Sequence, residues 1–518
     1  MPDYMFLLES RLSPEQRAVL ERVQELSRSE DVNIYLTGGA VRDLISGQPI
    51  RDLDFTVEGN PARMVHELEK GGARVTMENE RLRTYEMIFA GDADGSISAA
   101  RDEVYERPGA KVEYRFSGIM EDLRRRDFSV NAIAISLNSQ SLGLLLDPTN
   151  GLADLERQEV RALSIHAFTN QPIRLLRVLH VAARMGFKME SRTQEWFELA
   201  MERGLNENIE GADVGNEVRA LAREDNPTAA LRQWEARGLL PAIHPSLQRR
   251  KPNYEKLNRI ARVRANYFAA GLRPRLHVAV TGYILGRLKS RERIAALRKM
   301  EFRQAEIDAV IGLYDEAQKV VKILKSRKTN GPRDAYFYIA SLPSEMLAYI
   351  EVELRNPRAL SKIRNYIQKW RPMRLALPVA ELDSLGVPRG PKFDKVIEQL
   401  FEMQLRGKAR SPEDRTKALR SLAGIKEEPA KKPEKKRKGK ELAPKPAEAK
   451  LRERRAAEAA QPAGAPVAGK AAAAAKPALA PPAAPAKAAP PAKRAPKKHA
   501  RVVRPKPKAP ARKRSRSR

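Results

Sequence analysis

The chain has 518 residues, with 97 Lys and Arg against 65 Asp and Glu and no cysteine. The missing cysteine excludes disulfides, a thiol nucleophile and cysteine-ligated zinc, and it suits a reducing compartment. No apolar run approaches about 20 residues, which excludes a transmembrane helix, and the opening MPDYMFLLESRLSPEQ lacks the charged start and long apolar core of a signal peptide, so the cytoplasm is the expected location.

Ser13, with Gln16 three residues on, has the form of a capping box and opens an amphipathic helix running to about residue 29. Short strands are predicted over residues 33–37, 52–57, 74–77, 84–89 and 130–136. A helix near residues 40–46 separates the first two and ends at Gly47 and Pro49. Asn60-Pro61 caps another, which ends at Gly71-Gly72. Together these make an α/β head over residues 1–150.

After Asp147 the strand signals stop. Segments such as IRLLRVLHVAARMGF, RERIAALRKM and DKVIEQLFEMQL have apolar residues at helical spacing. The expected fold class is therefore α+β, a small α/β head followed by an all-helical neck (151–245) and body (246–425). From residue 426 onward the chain carries 29 Lys and Arg against 7 Asp and Glu, a net +22 out of the total +32. This Lys-, Ala- and Pro-rich stretch, 426–518, has few large apolar residues and is expected to be disordered. It reads either as a solubilising extension or as a salt-sensitive arm for RNA.

The stretch IYLTGGAVRDLISGQPIRDLDFTV carries the chemistry. Alternation along a strand points Asp52 and Asp54 the same way. Two neighbouring carboxylates repel unless a divalent cation lies between them, and Mg2+ takes a few carboxylate oxygens plus water and phosphate oxygens. Paired ions of this kind activate an attacking oxygen and stabilise a leaving one. Gly38 and Gly39 allow backbone N–H groups close to a phosphate, at the start of a helix. Arg42 would add a charge-assisted contact.

The string GGAVRD followed by RDLDF resembles the head signature of class II RNA nucleotidyltransferases, the CCA-adding tRNA nucleotidyltransferases and bacterial poly(A) polymerases. The similarity continues through SISAARDEVYERPG, EDLRRRDFSVNAIAISL and DPTNGLADL, and reaches LPVAELDSLGVPRGPKFDKVIEQLFEMQLRGKA near residue 410. The resemblance implies transfer of nucleotides from ATP and CTP to an RNA 3′-hydroxyl without a nucleic-acid template, most simply CCA addition to tRNA. It implies Asp52 and Asp54 as catalytic metal ligands for Mg2+. It implies nucleotide contacts from Gly38, Gly39, Arg42, Arg126, Asp127 and Asn131, and base choice at the start of the neck helix by residues 171, 174 and 177. The expected partners are tRNA or other RNA 3′ ends, with no membrane; oligomeric state is left open.

The neck departs from the family pattern of Glu-Asp-x-x-Arg followed by Leu-Arg-x-x-Arg-Phe. Here Asn170 and Gln171 take the acidic positions, Arg174 and Arg177 are kept, and His180 and Val181 replace the arginine and phenylalanine. A carboxylate only accepts hydrogen bonds, whereas an amide can accept or donate. Three readings stay open: weaker selection of ATP and CTP by Gln171, addition of a single base such as A or a poly(A) activity, or a catalytically weak RNA-binding protein. Glu217 and Arg219 are expected on an exposed helix face, His180 as a packed or solvent-facing residue, and Trp196 and Trp234 in the core.

Overall fold

The structure, a computed structural model, describes residues 3–409 and 411–424. The basic stretch 426–518 lies outside the described residues. Helix α1 (Tyr4–Arg11) leads into α2 (Pro14–Glu30), which opens with the expected capping box: Ser13 Oγ accepts from the Gln16 N–H at 3.2 Å and Gln16 Oε1 accepts from the Ser13 N–H at 3.0 Å. Gln16 also donates through Nε2 to the Ile50 carbonyl at 3.0 Å. That bond ties the cap to the loop entering the Asp-x-Asp strand. The inner face of α2 buries Val19, Leu20, Val23 and Leu26, at the spacing of one helix side.

The head is one mixed seven-stranded sheet. Its strands are β1 (Ile34–Thr37), β2 (Leu53–Val57), β3 (Arg74–Asn79), β4 (Thr84–Ile88), β5 (Asp94–Ala99), β8 (Ala134–Ser136) and β9 (Leu145–Leu146), in the order β3-β4-β5-β2-β1-β8-β9. Between β5 and β8 come β6 (Arg101–Tyr105) and β7 (Val112–Phe116), a separate antiparallel hairpin. Helix α3 (Gly39–Ile45) joins β1 to β2, α4 (Ala62–Lys70) follows β2, and α5 (Ile119–Arg124) follows the hairpin. β2 lies between antiparallel β1 and parallel β5, with Leu36 opposite Phe55 and Asp54 opposite Ser96. Burial on both faces fixes this register.

Several expectations need correction. The strand predicted over 130–136 begins as a 3₁₀ turn at Ser129–Asn131, and only Ala134–Ser136 is strand. The Ala132 N–H is spent on the Ser129 carbonyl and the Ser129 N–H on the Arg161 carbonyl, so neither joins the sheet. β5, the β6–β7 hairpin and β9 were not predicted. Strand structure also does not stop at Asp147: Glu159–Val160 and Lys188–Met189 form a short parallel pair.

β5 needs a residue without a side chain beside β2. A Cβ on Gly95 would lie 2.2 Å from the Leu53 carbonyl oxygen and 2.7 Å from the Phe89 ring. Gly95→Ala is therefore expected to destabilise the head by about 1–3 kcal/mol through overpacking, read as a lowered midpoint in chemical unfolding.

Beyond the head the chain is mainly helical. α6 (Gly151–Arg157), α7 (Ala167–Asn170), α8 (Arg174–Met185), α9 (Ser191–Glu202), α10 (Gly211–Arg223) and α11 (Pro227–Ala236) come first. Further helices continue to Pro412–Ala423. Trp234 is fully buried and donates to the Leu176 carbonyl at 2.9 Å, locking α11 on α8; Trp196 is half-buried at the core's edge. No described helix is long and apolar enough to cross a membrane.

Candidate active site

The glycine turn sits at the end of β1. Gly38 has φ +64°, a conformation that disfavours a side chain, and its N–H donates to the Ile133 carbonyl at 3.3 Å. A Cβ on Gly39 would lie 3.6 Å from both Arg42 Nη2 and Asp54 Oδ2. The bare face of Gly39 therefore looks across to the acidic strand.

Asp54 lies on β2, and Asp52 just before it. Both are half-buried. Asp54 Oδ1 accepts from Ser96 Oγ at 2.8 Å, which leaves Oδ2 toward Gly39. Burial first, then the Asp52 charge, push the Asp54 carboxyl up to about 6. Such a pair favours an added cation. Among the described residues no cluster of three or more His, Cys, Asp or Glu side chains could hold a metal. Two carboxylates completed by water and phosphate oxygens suit a hard divalent ion such as Mg2+.

The remaining head residues are tied into a network rather than left free. Arg42 is buried, pairs with Asp43 at 2.9 Å and donates to Asn131 Oδ1 at 2.6 Å. Arg126 is held beneath the glycine turn, paired with Asp122 at 2.8 Å and donating to the Asn131 carbonyl and Thr56 Oγ1, each at 3.1 Å. Asp127 accepts from Asn131 Nδ2 at 3.1 Å and from Arg177 Nη1 at 3.2 Å. Burial opposes its charge, but Arg177 and Arg174 outweigh burial and hold its carboxyl below the usual range.

From Arg177 the network crosses the neck and returns. Arg177 pairs with Glu217 at 3.2 Å, and Glu217 with His180 Nδ1 at 2.6 Å. His180 Nε2 meets Glu224 at 3.2 Å, and Glu224 pairs with Arg184 at 3.3 Å. Arg184 also pairs with Asp43. Arg42, Asn131, Asp127, Arg177, Glu217, His180, Glu224, Arg184 and Asp43 thus close a ring between the glycine-turn helix and α8. The expectation of an exposed face at Glu217 and Arg219 is overturned. Glu217 is 4% exposed, and Arg219 pairs with Glu306 at 3.1 Å while its guanidinium covers Phe302 at 4.0 Å. Both face inward because α10 packs on α8 and on the following helices.

The start of the neck meets the β6–β7 hairpin. Gln171 Nε2 donates to Glu103 Oε2 at 2.8 Å and to Tyr105 Oη at 3.0 Å. Asn170 Oδ1 accepts from the Gly109 N–H at 2.9 Å. Arg174 is buried and donates through Nη2 to the Arg125 carbonyl at 3.2 Å, while its buried Nε has no partner. Glu103, Tyr105, Ser96, Asp43, Arg184 and Glu224 were not predicted as site residues. A usable signal exists for two of them: Glu103 and Tyr105 are two apart on one strand, so they share a face.

Residues 34–161 match the family described as the Poly A polymerase head domain. An A-adding tRNA nucleotidyltransferase of Geobacter sulfurreducens is 24% identical over 428 residues, 81% of this chain and 48% of that protein. An A-adding tRNA nucleotidyltransferase of Aquifex aeolicus is 34% identical over 230 residues, 44% of this chain and 28% of that one. A CC-adding tRNA nucleotidyltransferase of Deinococcus radiodurans is 34% identical over 178 residues, 34% of this chain and 47% of that one. The chain spans about half or less of the length of these curated relatives. The solved apo form II of a CCA-adding enzyme is 23% identical, with a TM-score of 0.44 over 81% of this chain and 99% of that one.

Proposed function

We propose that the chain is a template-independent nucleotidyltransferase that extends tRNA 3′ ends. The observation that carries this is the glycine turn facing Asp54 inside a poly(A) polymerase head domain. Asp52 and Asp54 would hold Mg2+, which when bound neutralises phosphate charge and favours the ionised 3′-hydroxyl. Gly38 and Gly39 leave room for the triphosphate against the backbone, and Arg42, fixed by Asp43 and Asn131, supplies positive charge beside it. Arg126 and Asp127 hold the turn and the neck arginine in place. Gln171 and Arg174, with Arg177 behind them, would read the base. The division into a head over residues 1–150, a neck over 151–245 and an RNA-binding body over 246–425 belongs to the same proposal.

An acceptor at Gln171 and a donor at Arg174 match the amino group and neighbouring ring nitrogen that adenine and cytosine share. That chemistry suits CCA addition with CTP and ATP, and equally addition of A alone. The A-adding names of the Geobacter and Aquifex relatives favour the second form. The test supplies three tRNAs, ending before CCA, after C and after CC, with one nucleotide at a time and then ATP plus CTP. A-only addition to the CC-ended tRNA is expected for an A-adding enzyme, and ordered C, C, A on the shortest tRNA for a CCA-adding one. Long A-tails on unrelated RNA would indicate a poly(A) polymerase. RNA binding without any addition would overturn the proposal.

A further inference from the structure

Gln171 stands where a carboxylate would have been an unambiguous acceptor. An amide has two ends, and which end faces the base decides what it selects. The hairpin decides it. Glu103 is an acceptor only, so the end of the amide 2.8 Å from its Oε2 is the NH2 end. Tyr105 reinforces the choice. Its hydroxyl donates to Glu103 Oε2 at 3.1 Å and so meets the Gln171 NH2, 3.0 Å away, with an oxygen lone pair. Burial, then the Glu103 charge, push the Tyr105 phenol up to about 12, so it keeps its proton near neutral pH. The Glu103 side chain is 6% exposed and is itself braced by Arg125 at 3.1 Å.

We infer that Glu103 and Tyr105 are specificity-positioning residues: they hold both amide protons of Gln171, turn its Oε1 outward as an acceptor, and thereby make a glutamine select an amino-bearing base as a carboxylate would. This rests on the proposed nucleotidyl-transfer reading of the same site. Two further observations agree with it. The buried Nε of Arg174, one turn along from Gln171, lacks a partner within the protein, so this donor is not spent on another residue. Asn170, the neighbouring departure, is also hooked to the hairpin, through the Gly109 N–H. A carboxylate at 171 would instead face the Glu103 carboxylate at the place the amide now occupies. The negative charge at this junction is on the hairpin rather than on the neck.

The test measures equilibrium binding of ATP, CTP, GTP and UTP, each with Mg2+, alongside nucleotide addition to tRNA. The wild type should prefer ATP or CTP over GTP and UTP. Glu103→Gln admits both orientations of the 171 amide and should reduce that preference about tenfold, the scale of one hydrogen bond to a base edge, with UTP or GTP binding unchanged or tighter. Tyr105→Phe should move the ratio the same way by less. The exchange Glu103→Gln with Gln171→Glu should restore the preference, because the new amide donates and the new carboxylate accepts. Preference unchanged in Glu103→Gln, or all four nucleotides weakened equally with no rescue by the exchange, would overturn the inference. A wild type that adds no nucleotide would contradict the transfer reading instead, and the binding ratios would still decide the role of Glu103.

Discussion

Asp54→Ala is expected to lower nucleotide addition by about a thousandfold or more, the scale of losing preorganised charge stabilisation at a reacting phosphate, with RNA binding retained. Asp54 lines the gap opposite Gly39, and its neighbour Asp52 raises its proton affinity. The folded protein holds this proton up to about pH 6, above the ordinary value of 3.8. The sign follows. Above about 6 the carboxylate is ionised and can hold a cation; as pH falls through 6 the proton competes, so cation affinity and activity should fall together. Its contribution to stability runs the other way, present below the unfolded value and lost as pH rises through about 6. Ser96→Ala removes a hydrogen bond that favours the ionised form and should move the acid limb of the pH profile upward. Steady-state rates across pH at saturating Mg2+ would show both effects.

Glu217→Ala should be the most damaging change outside the reacting centre. Glu217 is buried and bridges the buried His180 and the half-buried Arg177. Removing it leaves the buried His180 cation short of a partner, which costs about 3–5 kcal/mol. Because Arg177 also grips Asp127, activity should fall even at temperatures where the variant stays folded. The ring carries a pH signature. Burial alone would lower the His180 pKa, but the hydrogen bonds it donates to Glu217 and Glu224 outweigh it and raise it from 6.5 to about 9. Its stabilising contribution is complete below 6.5 and is lost as pH rises through about 9, an expected loss of about 3 kcal/mol. Denaturant unfolding at pH 6.5 and 9.5 should show that loss in the wild type and a smaller one in Glu217→Ala.

Local signals carried the first half of the head. The Ser13 capping box, the glycine turn and the acidic strand each lie within a few residues of sequence; the first two form as expected, and the strand begins at Leu53, leaving Asp52 just before it. β5 was hidden because DGSISA is rich in turn-formers; its Gly95 is demanded by the approach of Leu53, not by a turn. The polar ring was hidden for another reason. Its bonds join residues far apart, with Asp43 and Arg184 separated by 141 positions and His180 and Glu217 by 37. Helical spacing made Glu217 and Arg219 look like a solvated face, but the partners that bury them lie on other helices. The hairpin partners of Gln171 were hidden because Glu103 and Tyr105 come 68 and 66 residues before it.

The most direct measurement mixes the protein with a CC-ended tRNA, labelled ATP and Mg2+, and follows tRNA length and pyrophosphate together, for the wild type and for Asp54→Ala. The wild type is expected to add one adenosine per pyrophosphate released, and the variant to give neither product at comparable tRNA binding. Lengthening that survives Asp54→Ala, or ATP consumed without lengthening of the tRNA, would contradict that expectation.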